Sequence, residues 1–446
     1  MTGSLPDNIR NAFRRFKTDP EYAELIKTSS YAMIVRIAGV VTGFFVTLLT
    51  SRYYGADALG LVSICLAVLS FASVFGKIGL DVALMKYVAE YASRKDFNTI
   101  KAIYISAMKI IVPLSLLISV VLYFISGNLA ESYFHKPYLE PILQINAWLT
   151  LPLVLILVNS ECIRGLKKIR AYTFFQTVSV SLFAMSTLLV VSNFWKEREV
   201  PAFVQFACIG LSGTLSLIMW LYYSRFTSSE AKEKFSSKEL IKVSTPMFVT
   251  TLMQLLMSWA GTLILAAYNS EADVGIYNAL VRISVFPNIT ILAINSLSMP
   301  RFAEAYSAGK YDQLRRHAIE SARLIFITAL PIFIVLSVCP SSVLSVFGKE
   351  FPGHEEALYL LLFGQFFVSV AGLPSQILNM TGKQHVLRNI SLISAVFNIA
   401  GCLIFTPTMG ILGTCIAQVI GMIVWNLLAV YNVKRHFGFY TYAFSK

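Results

Sequence analysis

Twelve apolar segments follow one another along this 446-residue chain, and their lengths constrain its fold more than any other property. They run over 30–51, 60–80, 102–125, 140–161, 171–194, 202–224, 244–267, 275–298, 322–346, 356–379, 387–406 and 410–432. A helix needs about 20 residues to cross the hydrocarbon of a bilayer, and each segment supplies that length with room for modest tilt. None shows the alternation over about ten residues that marks a membrane strand. The expectation is an all-α polytopic membrane protein with 12 transmembrane helices. Composition agrees, with 56% hydrophobic residues, only 14% charged ones and a mean hydropathy of +0.66.

Topology follows from the basic residues. Of 37 Lys and Arg, 28 fall in the two termini, in alternate inter-segment stretches or at the segment edges that border them. The opposite stretches hold five: Arg52, Lys136, Lys196, Arg198 and Lys349. This asymmetry predicts both termini on the cytoplasmic side. It also explains the net charge of +13 without nucleic acid, since the charge is spread over turns facing anionic lipid. Ile9, Phe13 and Phe16, interleaved with basic residues, suggest a short helix lying on the membrane surface.

The second half echoes the first. Met85-Lys-Tyr-Val-Ala-Glu-Tyr-Ala-Ser93 returns 214 residues later as Met299-Pro-Arg-Phe-Ala-Glu-Ala-Tyr-Ser307. Gly60 corresponds to Gly275, Pro113 to Pro331, and Arg164-Gly165 to Thr381-Gly382. Two six-helix lobes follow, at 29–226 and 241–434, with a basic N-terminus over 1–28, a polar connector over 227–240 and a tail over 435–446. Parallel repeats of this kind place a central cavity between two bundles, as alternating access requires.

Four basic residues lie well inside the apolar segments rather than at their first two positions: Arg36, Lys77, Lys109 and Arg282. A charge there costs at least about 2.5 kcal/mol, which makes each a candidate site. Arg36 shares a helical face with Gly43, Thr47 and Thr50, whereas Ile34, Val41, Phe45 and Leu48 point away. Two readings compete for it: snorkelling to the headgroups, or lining a hydrated cavity that attracts an anion. Arg282 shares a face with Asn278, Phe286 and Ile289. Polar stripes add Thr250, Gln254 and Ser258 in the seventh segment, and Gln365, Ser369 and Gln376 in the tenth. Such stripes serve interhelical packing or cavity lining alike. Lys77 and Asp81, four apart, read as an ion pair at the inner end of the second segment, with a gating or coupling role behind it. Lys109 and Arg52 stand between headgroup contact and a role toward substrate.

Several chemistries lack their residues. There is no GxxxxGK[ST] phosphate loop, no HExxH and no Cys/His cluster. The six cysteines sit in or beside apolar runs and read as small buried hydrophobes. His135 reads as a solvated histidine. Carboxylates central enough to attract a cationic drug are missing, Asp81 and Glu161 lying near cytoplasmic ends. The outer loops are short, which argues against an integral-membrane glycan-assembly enzyme.

The run Arg36-Ile-Ala-Gly39, the stretch Ser51-Arg-Tyr-Tyr-Gly-Ala-Asp-Ala-Leu-Gly60, then Gly76-Lys-Ile-Gly-Leu-Asp81 and Tyr87-Val-Ala-Glu-Tyr91 carry a resemblance. With the twelve-segment plan, they resemble Wzx-type polysaccharide (O-antigen) flippases of the MOP superfamily, which also holds MurJ-like lipid II flippases and MATE exporters. That resemblance implies translocation of an undecaprenyl-pyrophosphate-linked oligosaccharide to the outer leaflet of a bacterial inner membrane, for surface polysaccharide such as lipopolysaccharide. It implies a cationic cavity to which Arg36 and Arg282 contribute, membrane lipids as surroundings, and a glycan polymerase and chain-length regulator as partners. The chain ends at Lys446, without the further helix pair usual in the MurJ-like branch, which favours the Wzx-like branch. No cofactor is expected; coupling to a proton gradient, a sodium gradient or the membrane potential stays open. The alternative reading is a MATE-like exporter of a soluble amphiphile or drug.

Overall fold

The computed structural model describes residues 20–224 and 237–445. The surface helix expected around Ile9, Phe13 and Phe16, and most of the connector, lie outside the described residues. Within them the elements are helices without any strand. They are α1 (Pro20–Lys77), α2 (Leu80–Ser93), α3 (Phe97–Asn128), α4 (Glu140–Ala147), α5 (Thr150–Gly165), α6 (Ile169–Thr173), α7 (Ser179–Val191) and α8 (Val200–Tyr223). The second half holds α9 (Ser237–Tyr268), α10 (Glu271–Ser284), α11 (Thr290–Ser307), α12 (Tyr311–Val338), α13 (Pro340–Ser345), α14 (Glu355–Ala371), α15 (Pro374–Met380) and α16 (Gln384–Phe437).

Seven of the continuous helices are long and apolar enough to cross a membrane, and three further pairs qualify when a bend of 43° to 46° is allowed within each. Two of the bends fall at prolines. Pro287 lies in the 3-10 turn Phe286–Ile289 before α11, and Pro374 opens α15. Each proline removes a backbone donor and crowds the preceding turn. Pro113 and Pro331, equivalent in the two halves, are instead carried inside α3 and α12.

Two of the long helices are hairpins. Within α16, the hydroxyls of Thr406 and Thr414 meet at 3.0 Å, and Asn398 Nδ2 donates to the Ala417 carbonyl at 3.3 Å. A straight helix would hold the latter pair about 28 Å apart. The chain therefore doubles back at Gly410, whose φ of 55° a side chain would oppose. In α1 the non-helical residue is Gly55, with φ 88°. Gly76 packs on Val154 of α5 and Gly39 on Thr177, while Ser160 of α5 bonds Gln176 beside Thr177. A straight helix would put Gly39 and Gly76 about 55 Å apart. So α1 also turns back, giving a first arm over 20–54 and a second over 56–77. We call the end holding Gly55, Lys136 and Lys349 the outer end, following the charge asymmetry.

The halves meet along a reciprocal contact. A Cβ added to Gly60 would lie 1.9 Å from the Glu271 carbonyl oxygen, and one on Gly275 would lie 2.0 Å from the Ala56 oxygen. Ala56 and Glu271 are themselves equivalent in the repeat, as are Gly60 and Gly275. Residue i of one half thus touches j of the other while j touches i, the mark of a two-fold relation. Around this contact a core of Leu61, Ile64, Leu265, Tyr277 and Leu280 is closed off from solvent. Further in, the break between α1 and α2 meets α9, where a Cβ on Gly79 would lie 2.5 Å from the Ser244 oxygen.

The described part of the tail is held against the bundle. After Phe437 it folds back on the break between α14 and α15. The Ala443 N–H donates to the Val370 carbonyl and the Thr441 hydroxyl to that of Ala371. Arg323 donates to the Ala443 and Ser445 carbonyls. One cysteine departs from expectation: five are buried, but Cys339 is exposed where α12 ends against Pro340.

Candidate functional site

The first arm of α1 brings Arg36, Gly39 and Val40 to one side of an internal cavity of about 420 Å³. Tyr172, Thr173, Gln176 and Thr177 form the facing wall, and Arg282 and Leu292 reach in from the second half. Two glycines make this closeness possible. A Cβ on Gly39 would lie 2.6 Å from the Thr177 carbonyl oxygen, and one on Gly43 would lie 3.2 Å from Arg282 Nη1. The guanidinium of Arg282 thus lies along the first arm, crossing from one half to the other.

The facing wall is shaped by a single π turn, Phe174–Val178, between α6 and α7. Such a turn adds a residue to the helical repeat and re-aims the side chains around it. Gln176 is held at 2.7 Å from Ser160 Oγ of α5. Thr177 returns its hydroxyl to the Thr173 carbonyl at 2.6 Å. The wall is polar and uncharged.

The charge in the cavity is unbalanced. Arg282 is exposed and lines the cavity, its guanidinium lying against Gly43 of the first arm. Arg36 is also exposed and lines the cavity together with Tyr172. Among the described residues neither forms an ion pair, and no carboxylate is among the residues lining the cavity. Nearby acids are already engaged. Glu161 pairs with Arg164 at 3.3 Å, and Arg164 stacks 5.1 Å over Tyr172. Two uncompensated guanidiniums inside low-dielectric walls focus a positive potential and offer forked donors to a divalent anion.

The remaining sequence candidates are placed elsewhere. Lys77 and Asp81 form a buried pair at 2.5 Å across the break at Ile78 and Gly79 and are not among the residues lining the cavity. Arg52 reaches the Val346 carbonyl at 3.4 Å at the outer end. Lys109 is exposed on the face of α3 that also exposes Ile105 and Leu116, outside the bundle. Thr47 and Thr50 are buried, Thr47 donating to the Gly43 carbonyl. Asn278 joins Thr262, linking α10 to α9. Gln365 and Ser369 are buried on Asn288, which donates to Gln365 Oε1 at 2.7 Å and accepts from the Ser369 hydroxyl. Gln254 and Ser258 are exposed along α9, and Gln376 is half-buried in α15; none of the three lines this cavity. Tyr172, Thr173, Gln176 and Thr177 were not singled out by sequence. Among the described residues no cluster of three His, Cys, Asp or Glu side chains forms a metal site.

Helices of this length and apolarity, two repeated halves and a polar cavity between them define a multi-pass membrane transporter rather than an enzyme. The chain belongs to the polysaccharide biosynthesis protein family, whose profile matches residues 24–306; the MatE profile matches 246–404. It is similar to stage V sporulation protein B of Bacillus subtilis, 24% identical over 444 residues, which cover 90% of this chain and 83% of that protein. It is also similar to a probable low-salt glycan biosynthesis flippase of Haloferax volcanii, 22% identical, with 91% of this chain and 82% of that one covered. Among solved structures, lipid II flippase MurJ in an inward closed conformation matches with a TM-score of 0.73 at 14% identity, covering 90% and 87% of the two chains. An inward-facing multidrug resistance MATE family transporter of the MOP superfamily matches with a TM-score of 0.70 at 16% identity, covering 91% and 94%. The fold is that of the MOP superfamily.

Proposed function

We propose that this protein carries a lipid-linked oligosaccharide bearing a pyrophosphate, of the undecaprenyl type, from the inner to the outer leaflet of a bacterial cytoplasmic membrane. The observation that carries the reading is the pair Arg36 and Arg282: one guanidinium from each half, in one cavity, without an acid partner among its lining residues. A pyrophosphate leaving water needs charge and several hydrogen bonds together, and a guanidinium supplies both. The polar wall of Thr173, Gln176 and Thr177 suits sugar hydroxyls next to the phosphates. Family membership and the similarity to a protein named as a glycan biosynthesis flippase support the same cargo class. In this reading each arm of the two hairpins and each bent pair is one crossing, giving twelve with both termini cytoplasmic, and the lobes alternate their access. A surface glycan polymerase and its chain-length regulator would then act on the delivered unit.

The test is surface glycan in cells carrying Arg36→Ala or Arg282→Ala. Each substitution is expected to abolish it while the protein stays at its normal level in the membrane; normal glycan with both would sink the assignment. A second reading, export of a soluble amphiphile, is favoured by the MatE match over 246–404. The cationic cavity restricts such cargo to anions. Altered drug sensitivity with intact glycan in a deletion strain would select it.

A further inference from the structure

The contact of Gly60 with Gly275 at the outer end is flanked by two charged side chains, each reaching from one half into the other. Lys136 lies in the turn between α3 and α4, with its side chain only 12% exposed. Its Nζ donates to the carbonyls of Ala266 at 2.9 Å and Asn269 at 2.8 Å. These carbonyls end α9, where no following backbone N–H can satisfy them and the helix dipole is negative. Burial draws the Lys136 pKa down, against the opposing pull of Glu271, Asp273 and Asp57. The Glu271 carboxylate stands 4.0 Å away.

Glu350 is the counterpart. It lies in the turn between α13 and α14, which the repeat places opposite the turn that holds Lys136. Its Oε2 accepts from the Ala56 N–H at 2.7 Å, at the start of the second arm of α1, where a helix is positive. The two contacts are thus related by the same two-fold as the glycines, with charge inverted. Each half sends an outer turn onto the first hairpin of the other. A cation lands on carbonyls and a carboxylate lands on an amide.

We propose that Lys136 and Glu350 form a two-part latch that holds the outer face closed, and that both parts must release before the halves separate outward. The inference rests on alternating access but not on the nature of the cargo, and its test needs no cargo. The full chain is expressed in intact cells with Cys339→Ser, to remove the exposed thiol, and Thr47→Cys as a reporter. Thr47 is buried on the first arm beneath the seated glycines. A membrane-impermeant maleimide added outside then reads outward opening, with labelled peptides located by mass spectrometry.

Lys136→Met is expected to raise labelling at position 47 about tenfold or more, the scale of one charge-assisted hydrogen bond. Glu350→Gln is expected to raise it less, and Lys136→Arg to leave it near the starting rate. The buried Cys162 and Cys402 report unfolding, and their continued protection is required for any rise to count. Because Glu350 is exposed, its variant keeps the test alive if Lys136→Met does not fold. Unchanged labelling in both folded variants would overturn the latch, and a rise confined to one would overturn its pairing.

Discussion

The outer end and the inner cavity of this molecule treat charge in opposite ways. At the outer end every crossing charge finds an opposite: Lys136 meets helix-terminal carbonyls, Glu350 a helix-initial amide, and Arg52 a loop carbonyl. In the cavity Arg36 lines the first half's side and Arg282 reaches across from the second, with no acid among the lining residues. A charge matched within the protein contributes closure. A charge left unmatched in a low-dielectric space keeps its attraction for whatever enters. The buried pair Lys77–Asp81 is a third case, its charges matched to each other while Asp81 Oδ1 is left without a hydrogen-bond partner.

The strongest challenge to this contrast removes the outer contact itself. Gly60→Ala or Gly275→Ala puts a Cβ within about 2 Å of a carbonyl oxygen, so the helices must move apart. Loss of transport and a fall in stability of about 1–3 kcal/mol or more are expected. Gly210→Ala, where a Cβ meets nothing within 4 Å, is the control, and thermal unfolding in detergent compares them. If Gly60→Ala behaves like Gly210→Ala, the seated contact is not needed.

Next comes the buried pair. Lys77→Met alone strands a carboxylate and should cost about 3–5 kcal/mol, much of it recovered in Lys77→Met with Asp81→Leu. Equal midpoints for the single and double variants would show that Asp81 relies on another partner. For the cavity, Arg36→Lys or Arg282→Lys keeps charge but loses the fork. Translocation of a fluorescent polyprenyl-pyrophosphate oligosaccharide in proteoliposomes should drop about tenfold with unchanged stability, a step of roughly one hydrogen bond to a charged group. A stability loss instead would move the arginine into a structural role. The smallest effect belongs to Lys109→Met, which should alter stability by less than about 0.5 kcal/mol and leave translocation intact.

Some of this was legible in the residues. A charge inside an apolar run stands out because lipid makes it expensive, so Arg36 and Arg282 were visible without coordinates. The repeat was visible in Gly60 and Gly275, although only the folded chain sets these two glycines in mutual contact. The facing wall was not visible, because Thr173, Gln176 and Thr177 are ordinary polar residues at the start of a span. What aims them is a π turn, a backbone feature that no residue type marks. Thr47 and Thr50 share the face of Arg36 on a helical wheel, yet they are buried. One face of a long helix meets a cavity at one depth and packed helices at another. The stripe Gln365–Ser369 was equally ambiguous, and its use was decided by Asn288, a residue 77 positions away from Gln365.

The reciprocal contact is one that a half-length chain could make with its own copy. Because Ala56 corresponds to Glu271 and Gly60 to Gly275, the junction would form as well between two copies of a half-length chain as within this one. In such an ancestor one substitution would have struck the contact twice. Duplication and fusion would free such positions to diverge, and beside the glycines the two halves differ, with Lys136 in one turn and Glu350 in the other. The two glycines were not free, since each faces the other half's backbone with no room for a methyl group. The junction is that of a dimer whose subunits have come to share a chain.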